Sequence, residues 1–160
     1  MDLVVPAHRP SDRAPMVWAI GAAIWWVFAV VAQAVWFAVE PRVTWLHVLA
    51  AVGTALGMVV SVVVVPLWRY RVHRWDVDPT AVYTRSGWFV QEQRIAPISR
   101  VQTVDTYRGL LDRMFGLANV TVTTASSAGA VRIVALDSEV ADRLVAQLTD
   151  IAALSGEDAT

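Results

Sequence analysis

Apolar and polar positions are spread very unevenly along the chain, and the unevenness divides it in two. Between Arg13 and Glu40 lie 26 residues without a formal charge, and between Arg42 and Arg69 another 26. About 20 mostly apolar residues suffice to cross roughly 30 Å of hydrocarbon as a helix, so each block predicts a spanning helix, over residues 16–39 and 43–68. Val-rich stretches such as Val62-Val63-Val64-Val65 favour strands in water. In lipid only internal backbone pairing satisfies the amides, and helix prevails. Glu40-Pro41-Arg42 is too short for anything but a tight antiparallel connection, so residues 16–68 read as a transmembrane hairpin. Ala32-Gln33-Ala34 resembles a signal-peptidase site, but the length of the apolar run, its Trp content and the second span close behind it favour an uncleaved anchor.

After Arg69 the pattern changes. Residues 71–77 and 81–85 read as short strands separated by Asp78-Pro79, and Ser86-Gly87 as a tight turn into a third strand over 88–95. Alternation returns over 100–107, 119–124 and 130–136, with one helical turn at 110–115 and a turn at 126–129. The period then lengthens. Val140, Leu144, Leu148 and Ile151 recur at spacings of four, four and three behind a cap at Asp137 or Ser138, and Glu139 and Asp142 suit the positive end of that helix. Strands followed by one amphipathic helix predict an antiparallel α+β unit over residues 69–154, flanked by an N-terminal tail over 1–15 and a frayed tail over 155–160.

Composition agrees. Of 160 residues 56% are hydrophobic and 17% charged, against about 25% charged in soluble domains. Net charge is −1, yet residues 69–136 carry nine Arg and five acids, while 137–160 carry six acids and one Arg. The arginines set the topology: Arg9 and Arg13 precede the first span, and Arg69, Arg71, Arg74 and Arg85 follow the second. By the positive-inside tendency both termini are cytoplasmic. All 13 basic residues are Arg and none is Lys, the mark of a GC-rich bacterial genome. Together these predict a multi-pass protein of a bacterial cytoplasmic membrane. Anionic headgroups attract nearby Arg, which makes Arg69, Arg71 and Arg74 candidate headgroup contacts. Gly53 and Gly57 are spaced for close helix packing.

The chemistry of catalysis finds no footing in the sequence. There is no Cys, and His8, His47 and His73 are scattered, without metal-ligand spacing. No phosphate-binding glycine loop appears, and no global basic field draws nucleic acid. No cofactor, metal, nucleic acid or small-molecule substrate is expected, and no enzyme activity.

Two adjacent segments carry a resemblance. Ala96-Pro97-Ile98-Ser99-Arg100-Val101-Gln102-Thr103-Val104 resembles the IP-x-x-R-[IV]-Q-x-V signature of bacterial PH-like domains of the YdbS type, with Ala96 where Ile is frequent. Residues 108–120, from Arg108-Gly109-Leu110 through Phe115-Gly116-Leu117-Ala118-Asn119-Val120, are similar to the following G-x-L-x-R-x-FGLA-x-V segment. The resemblance implies a PH-like fold of about seven strands in two sheets capped by the C-terminal helix, and action in assemblies. It marks Pro97, Arg100, Gln102, Arg108, Gly109, Arg113, Phe115 and Gly116 as motif residues for interaction. The function expected is a membrane-anchored PH-like binding or scaffolding protein that associates with itself or a paralogous PH-like membrane protein, close to anionic headgroups. The alternative is an accessory subunit of a transport or export complex.

Overall fold

A computed structural model of the chain describes residues 6–87, 91–125 and 129–157. The chain divides into two compact units, one of Pro15–Trp68 and one joining Met1–Ala14 with Arg69–Thr160.

The first unit is helical. Helix α1 runs over Ala14–Val39 and α2 over Thr44–Val59; a π-helical turn over Val60–Val64 leads into α3, Val65–Val72. The π turn has a covalent cause. Pro66 has no N–H to give to the carbonyl of Val62, and its ring crowds that carbonyl, so the turn ahead of it widens. Ser61 donates its hydroxyl to Gly57 O at 2.8 Å in the same stretch. Both helical segments, Ala14–Val39 and Thr44–Val72, are long and apolar enough to cross a membrane. The pair is stitched by the few polar atoms the sequence allows. Gln33 Nε2 donates to Ala50 O at 3.1 Å and also reaches the Thr54 hydroxyl, and the Trp26 indole N–H donates to Ser61. His47 sits edge-on to Trp36 and Phe37 with Nε2 2.7 Å from Glu40 O.

The second unit is α+β and PH-like. Strands β1 (Arg74–Val77), β2 (Ala81–Gly87) and β3 (Gln91–Pro97) form one antiparallel sheet in that order. Strands β4 (Val101–Tyr107), β5 (Leu117–Thr124) and β6 (Val131–Asp137) form the other. Helix α4 (Leu110–Phe115) bridges β4 and β5, and α5 runs over Ser138–Glu157. Alternation is cleanest in β5, where Ala118, Val120, Val122 and Thr124 are buried and Asn119, Thr121 and Thr123 are half-buried. Ala118, Val120 and Val122 make one core with Val82 and Ala96 of the first sheet, Ile98 just after it, and Ala141, Leu144 and Leu148 of α5. At ~1.5–3 kcal/mol for each large apolar side chain removed from water, this core is the main source of the unit's stability.

Several expectations need correction. The strand predicted over 71–77 starts at Arg74, because α3 continues past the apolar block and the His73 N–H still pairs with Arg69 O at 2.9 Å. The strand predicted over 81–85 runs on to Gly87, which pairs with Gln91. Ser86-Gly87, expected as a tight turn, is strand instead, and the opening of the strand expected from Trp88 lies outside the described residues. Six strands rather than seven are present among the described residues. The N-terminal stretch lies against β1 but contributes a single bridge at His8, since Pro6 and Pro10 on either side offer no N–H for a longer ladder. Most of the turn expected at 126–129 lies outside the described residues. The expected frayed tail from Ser155 is helical in α5 as far as Glu157, and 158–160 are likewise outside.

Candidate functional site

The PH-like unit gathers the two points where the chain leaves it for the spans. Residues 6–14 form a strap across it. His8 and Trp75 exchange backbone hydrogen bonds of 3.0 Å each way and stack their rings at 4.9 Å. Trp75 Nε1 donates to Arg9 O at 3.1 Å. Further along, the Ser11 N–H donates to Ala135 O at 2.8 Å and its hydroxyl to Asp137 Oδ1 at 2.7 Å. The Arg13 guanidinium donates to Phe115 O at 3.2 Å. Tyr70 donates its hydroxyl to Asp12, which joins the segment before the first span to the segment after the second. Beside this junction His73 is largely buried; burial, reinforced by the charge of Arg69, pushes its imidazole down to about 4.

The three arginines expected to meet headgroups are only partly together. Arg69 and Arg71 are exposed on α3. Arg74 is half-buried on β1, directly across the ladder from Arg85. Arg71, Arg74 and Arg85 line a cleft of about 380 Å³ whose lining, among the described residues, includes no carboxylate. Like charges placed directly opposite each other in a sheet are unfavourable, so an anion in the cleft would relieve Arg74 and Arg85. Arg85 was read from sequence only as a topology determinant; its pairing opposite Arg74 depends on the β1–β2 register.

The motif residues separate into two groups. Arg108, Gly109, Arg113, Phe115 and Gly116 meet at the α4 corner, while Pro97 and Arg100 sit at the opposite end of β4, about 20 Å away for six strand steps. Pro97 closes β3, and Ile98 behind it is buried with its N–H on Thr80 O at 2.9 Å. Arg100 is exposed, as is Gln102, which falls at the register shift between Val101 and Thr103.

At the corner most motif polarity is spent on the backbone. The Gly109 N–H donates to Asp112 Oδ2 at 3.1 Å, the half of a capping box that a glycine N-cap permits. Asn119 Nδ2 donates to the same oxygen at 2.8 Å, and Asn119 Oδ1 accepts the Ala135 N–H at 2.9 Å. That amide needs a side-chain partner because the β5–β6 register slips between Ala118 and Val120, which sets Val134 and Ala135 against one residue and drives Ala135 to φ 54°. Gly116 ends α4 at φ 69°, a left-handed position, and its carbonyl accepts the Ser138 N–H at 2.9 Å, where α5 begins. Arg108 pairs with Asp142 of α5 at 2.6 Å. Arg113 is exposed, and among the described residues neither it nor Arg100 makes an ion pair.

Sequence reading missed the pairing of Asn119 with Asp112 and Ala135, and the strap. From sequence Asn119 stood only at the start of a predicted strand and within the 108–120 motif segment. The two glycines in the second span also divide: a Cβ on Gly57 would meet the Trp26 ring at 2.5 Å, whereas one on Gly53 would meet nothing within 4 Å.

No solved structure matches the chain. Over 103 residues it is 37% identical to the UPF0699 transmembrane protein YdbS of Bacillus subtilis (strain 168), a match that covers 64% of this chain and 64% of that protein, just under two thirds of the relative's length. The sequence profile of the Bacterial PH domain family matches residues 3–152, which take in the strap, both apolar helices and the α+β unit. A chain matched over that whole extent, with two three-stranded sheets and a closing helix behind a pair of spans, belongs to the Bacterial PH domain family.

Proposed function

We propose that this protein is a binding and scaffolding module of the bacterial cytoplasmic membrane. Its PH-like unit, on the cytoplasmic side with both termini, associates with a second copy or with a related PH-like membrane protein. The observation that carries the reading is the outer side of β4. Of the four sheet edges, β1 is covered by the strap at His8. Strands β3 and β6 lie near each other, with Arg94 Nη1 on Ala130 O at 3.2 Å. Among the described residues β4 pairs with β5 and with no strand on its other side. An uncovered edge strand is a template for pairing, and this one has no Pro and one charge, Asp105. Paired antiparallel with its own copy about Val104, it sets Thr103 opposite Asp105, and the single charge never meets itself. Arg69, Arg71 and Arg74 hold the unit on anionic headgroups, at about 1 kcal/mol each. The reading is one of binding, in keeping with Asp112 and Asn119 being engaged by backbone amides and by each other.

The chain has no Cys, so single cysteines report cleanly. Coexpression of a Thr103→Cys chain with an Asp105→Cys chain in native membranes is expected to give a covalent dimer on mild oxidation, while Arg132→Cys, exposed on β6, gives none. Cross-linking mass spectrometry of the same membranes identifies a related partner, if that is what occupies the edge. A strictly monomeric chain without partners, or cross-links equal to the Arg132 control, overturns the reading.

A further inference from the structure

Outside the two spans four large hydrophobic side chains are exposed among the described residues: Ile95, Tyr107, Leu110 and Met114. Three of the four are at the α4 corner, with 68%, 78% and 70% of their surfaces open. Leu110 and Met114 stand four residues apart, on one face of α4. The Tyr107 ring lies over the start of that helix, its Cε1 3.7 Å from the position of a Cβ on Gly109. The opposite side of the corner is tied down by the Asp112–Asn119–Ala135 hydrogen bonds and by Leu117, which is fully buried. The apolar side chains are therefore displayed on a braced support, where folding gains nothing from their burial.

We propose that this corner is a membrane-inserting element, with Tyr107, Leu110 and Met114 seated at the headgroup–acyl boundary of the anionic leaflet to which the chain is tethered. Three observations choose a lipid surface over a protein. The patch is rimmed with positive charge: Arg113 is exposed on α4 itself, Arg13 lies on Phe115 O, and the nearby acids Asp112 and Asp142 are already engaged. Aliphatic side chains with an interfacial aromatic and arginines make up the chemistry of segments that lie in the plane of a membrane surface. The corner also adjoins a point where the chain leaves the unit for the bilayer, since Arg13, which contacts Phe115, is followed directly by α1. Three side chains fall well short of the ~800 Å² per partner of a stable protein interface. They suffice to add to a tether that already holds the unit at the surface. The proposal rests on the placement of the PH-like unit beside an anionic leaflet; it shares Tyr107, the last residue of β4, with the pairing edge, and Leu110 and Met114 on α4 test it independently of that pairing.

The test uses the full chain in vesicles of phosphatidylcholine, with and without phosphatidylglycerol, and an environment-sensitive fluorophore on Met114→Cys, with Leu110→Cys as a second position. Both residues are exposed, so labelling leaves the fold undisturbed. In phosphatidylglycerol vesicles the expected result is a blue-shifted emission quenched by lipids brominated high on the acyl chain, several-fold more strongly than a label on Arg132→Cys. Arg113→Gln is expected to reduce that quenching. Water-like emission at positions 110 and 114 in both vesicle types overturns the proposal. A blue shift that depends on protein concentration and is insensitive to brominated lipid also overturns it, because the occupant is then a second copy. Dimer cross-linking at β4 is scored on the same preparations, so a failure here is distinguishable from a failure of self-association.

Discussion

Truncating Asn119 to alanine isolates the feature that makes the α4 corner rigid. The substitution removes the acceptor of the Ala135 N–H and the donor to Asp112 Oδ2 in one step. The Ala135 amide cannot return to the ladder, because the register slips beside it. A donor left without a partner costs about 1–3 kcal/mol, and a hydrogen bond to a carboxylate is worth about 1.5–3 kcal/mol. Asn119 is half-buried, so water recovers part of both. The expected cost is about 2–3 kcal/mol, large against the 5–15 kcal/mol of an ordinary domain. Pulse proteolysis of the PH-like unit in urea, on the full chain in nanodiscs, measures it, and hydrogen exchange at Ala135 locates it. A double-mutant cycle with Asp112→Ala is expected to show about 1–3 kcal/mol of coupling between the two side chains. A loss under ~0.5 kcal/mol, the range of ordinary surface substitutions, with Ala135 still protected, would refute the bracing role of Asn119.

The other expected outcomes follow from single positions. Gly116→Ala forces a Cβ into a left-handed residue at φ 69° and is expected to cost about 1–2 kcal/mol in the same proteolysis assay, whereas Gly109→Ala, at φ −65°, escapes that strain. His73 is expected to stay neutral down to about pH 4 when followed by NMR. Its folded pKa lies below the unfolded 6.5, so the unfolded chain takes the proton first; stability is complete above 6.5 and declines as pH falls from there toward 4. The full shift corresponds to roughly 3 kcal/mol, and solvent screening at a partly exposed ring cuts this to about 1–2 kcal/mol. Gly57→Ala pushes a Cβ into the Trp26 ring and is expected to lower the thermal stability of the detergent-solubilised chain by about 1–3 kcal/mol, while Gly53→Ala leaves it unchanged.

What could be read from the sequence was governed by how locally each feature is encoded. The spans were legible because 26 uncharged residues in a row have one low-energy answer in lipid. The C-terminal helix was legible from Val140, Leu144 and Leu148, although Ala141, fully buried beside them, is too small to stand out in a hydropathy pattern. Beyond this, legibility failed with contact distance. Ser11 meets Asp137 across 126 positions and Tyr70 meets Asp12 across 58, and no periodicity records such pairs. The motif marked residues that meet at the corner but not that Asp112 and Asn119 act on backbone amides. The exposure of Leu110 and Met114 was hidden for another reason: a six-residue helix is too short for its apolar face to be phased from the sequence.

The order of synthesis gives the strap a particular place in folding. Residues 6–13 emerge before either span, yet their partners Phe115, Ala135 and Asp137 belong to α4 and β6, the last elements before α5. The His8 end of the strap can pair with Trp75 of β1 once the hairpin of Pro15–Trp68 has been made. The Ser11–Arg13 end cannot dock until α4 and β6 are in place, so the Ser11–Asp137 contact closes a loop of 126 positions. Closing a loop of that length costs only about 0.6 kcal/mol more for each doubling, well within what the Ser11 and His8 hydrogen bonds return at ~1 kcal/mol apiece. Docking also covers the β1 edge, and through Tyr70 and Asp12 it fixes one departure point of the chain against the other. In physical terms the N-terminal residues act less as a tail than as a part of the PH-like unit whose Ser11–Arg13 end forms late.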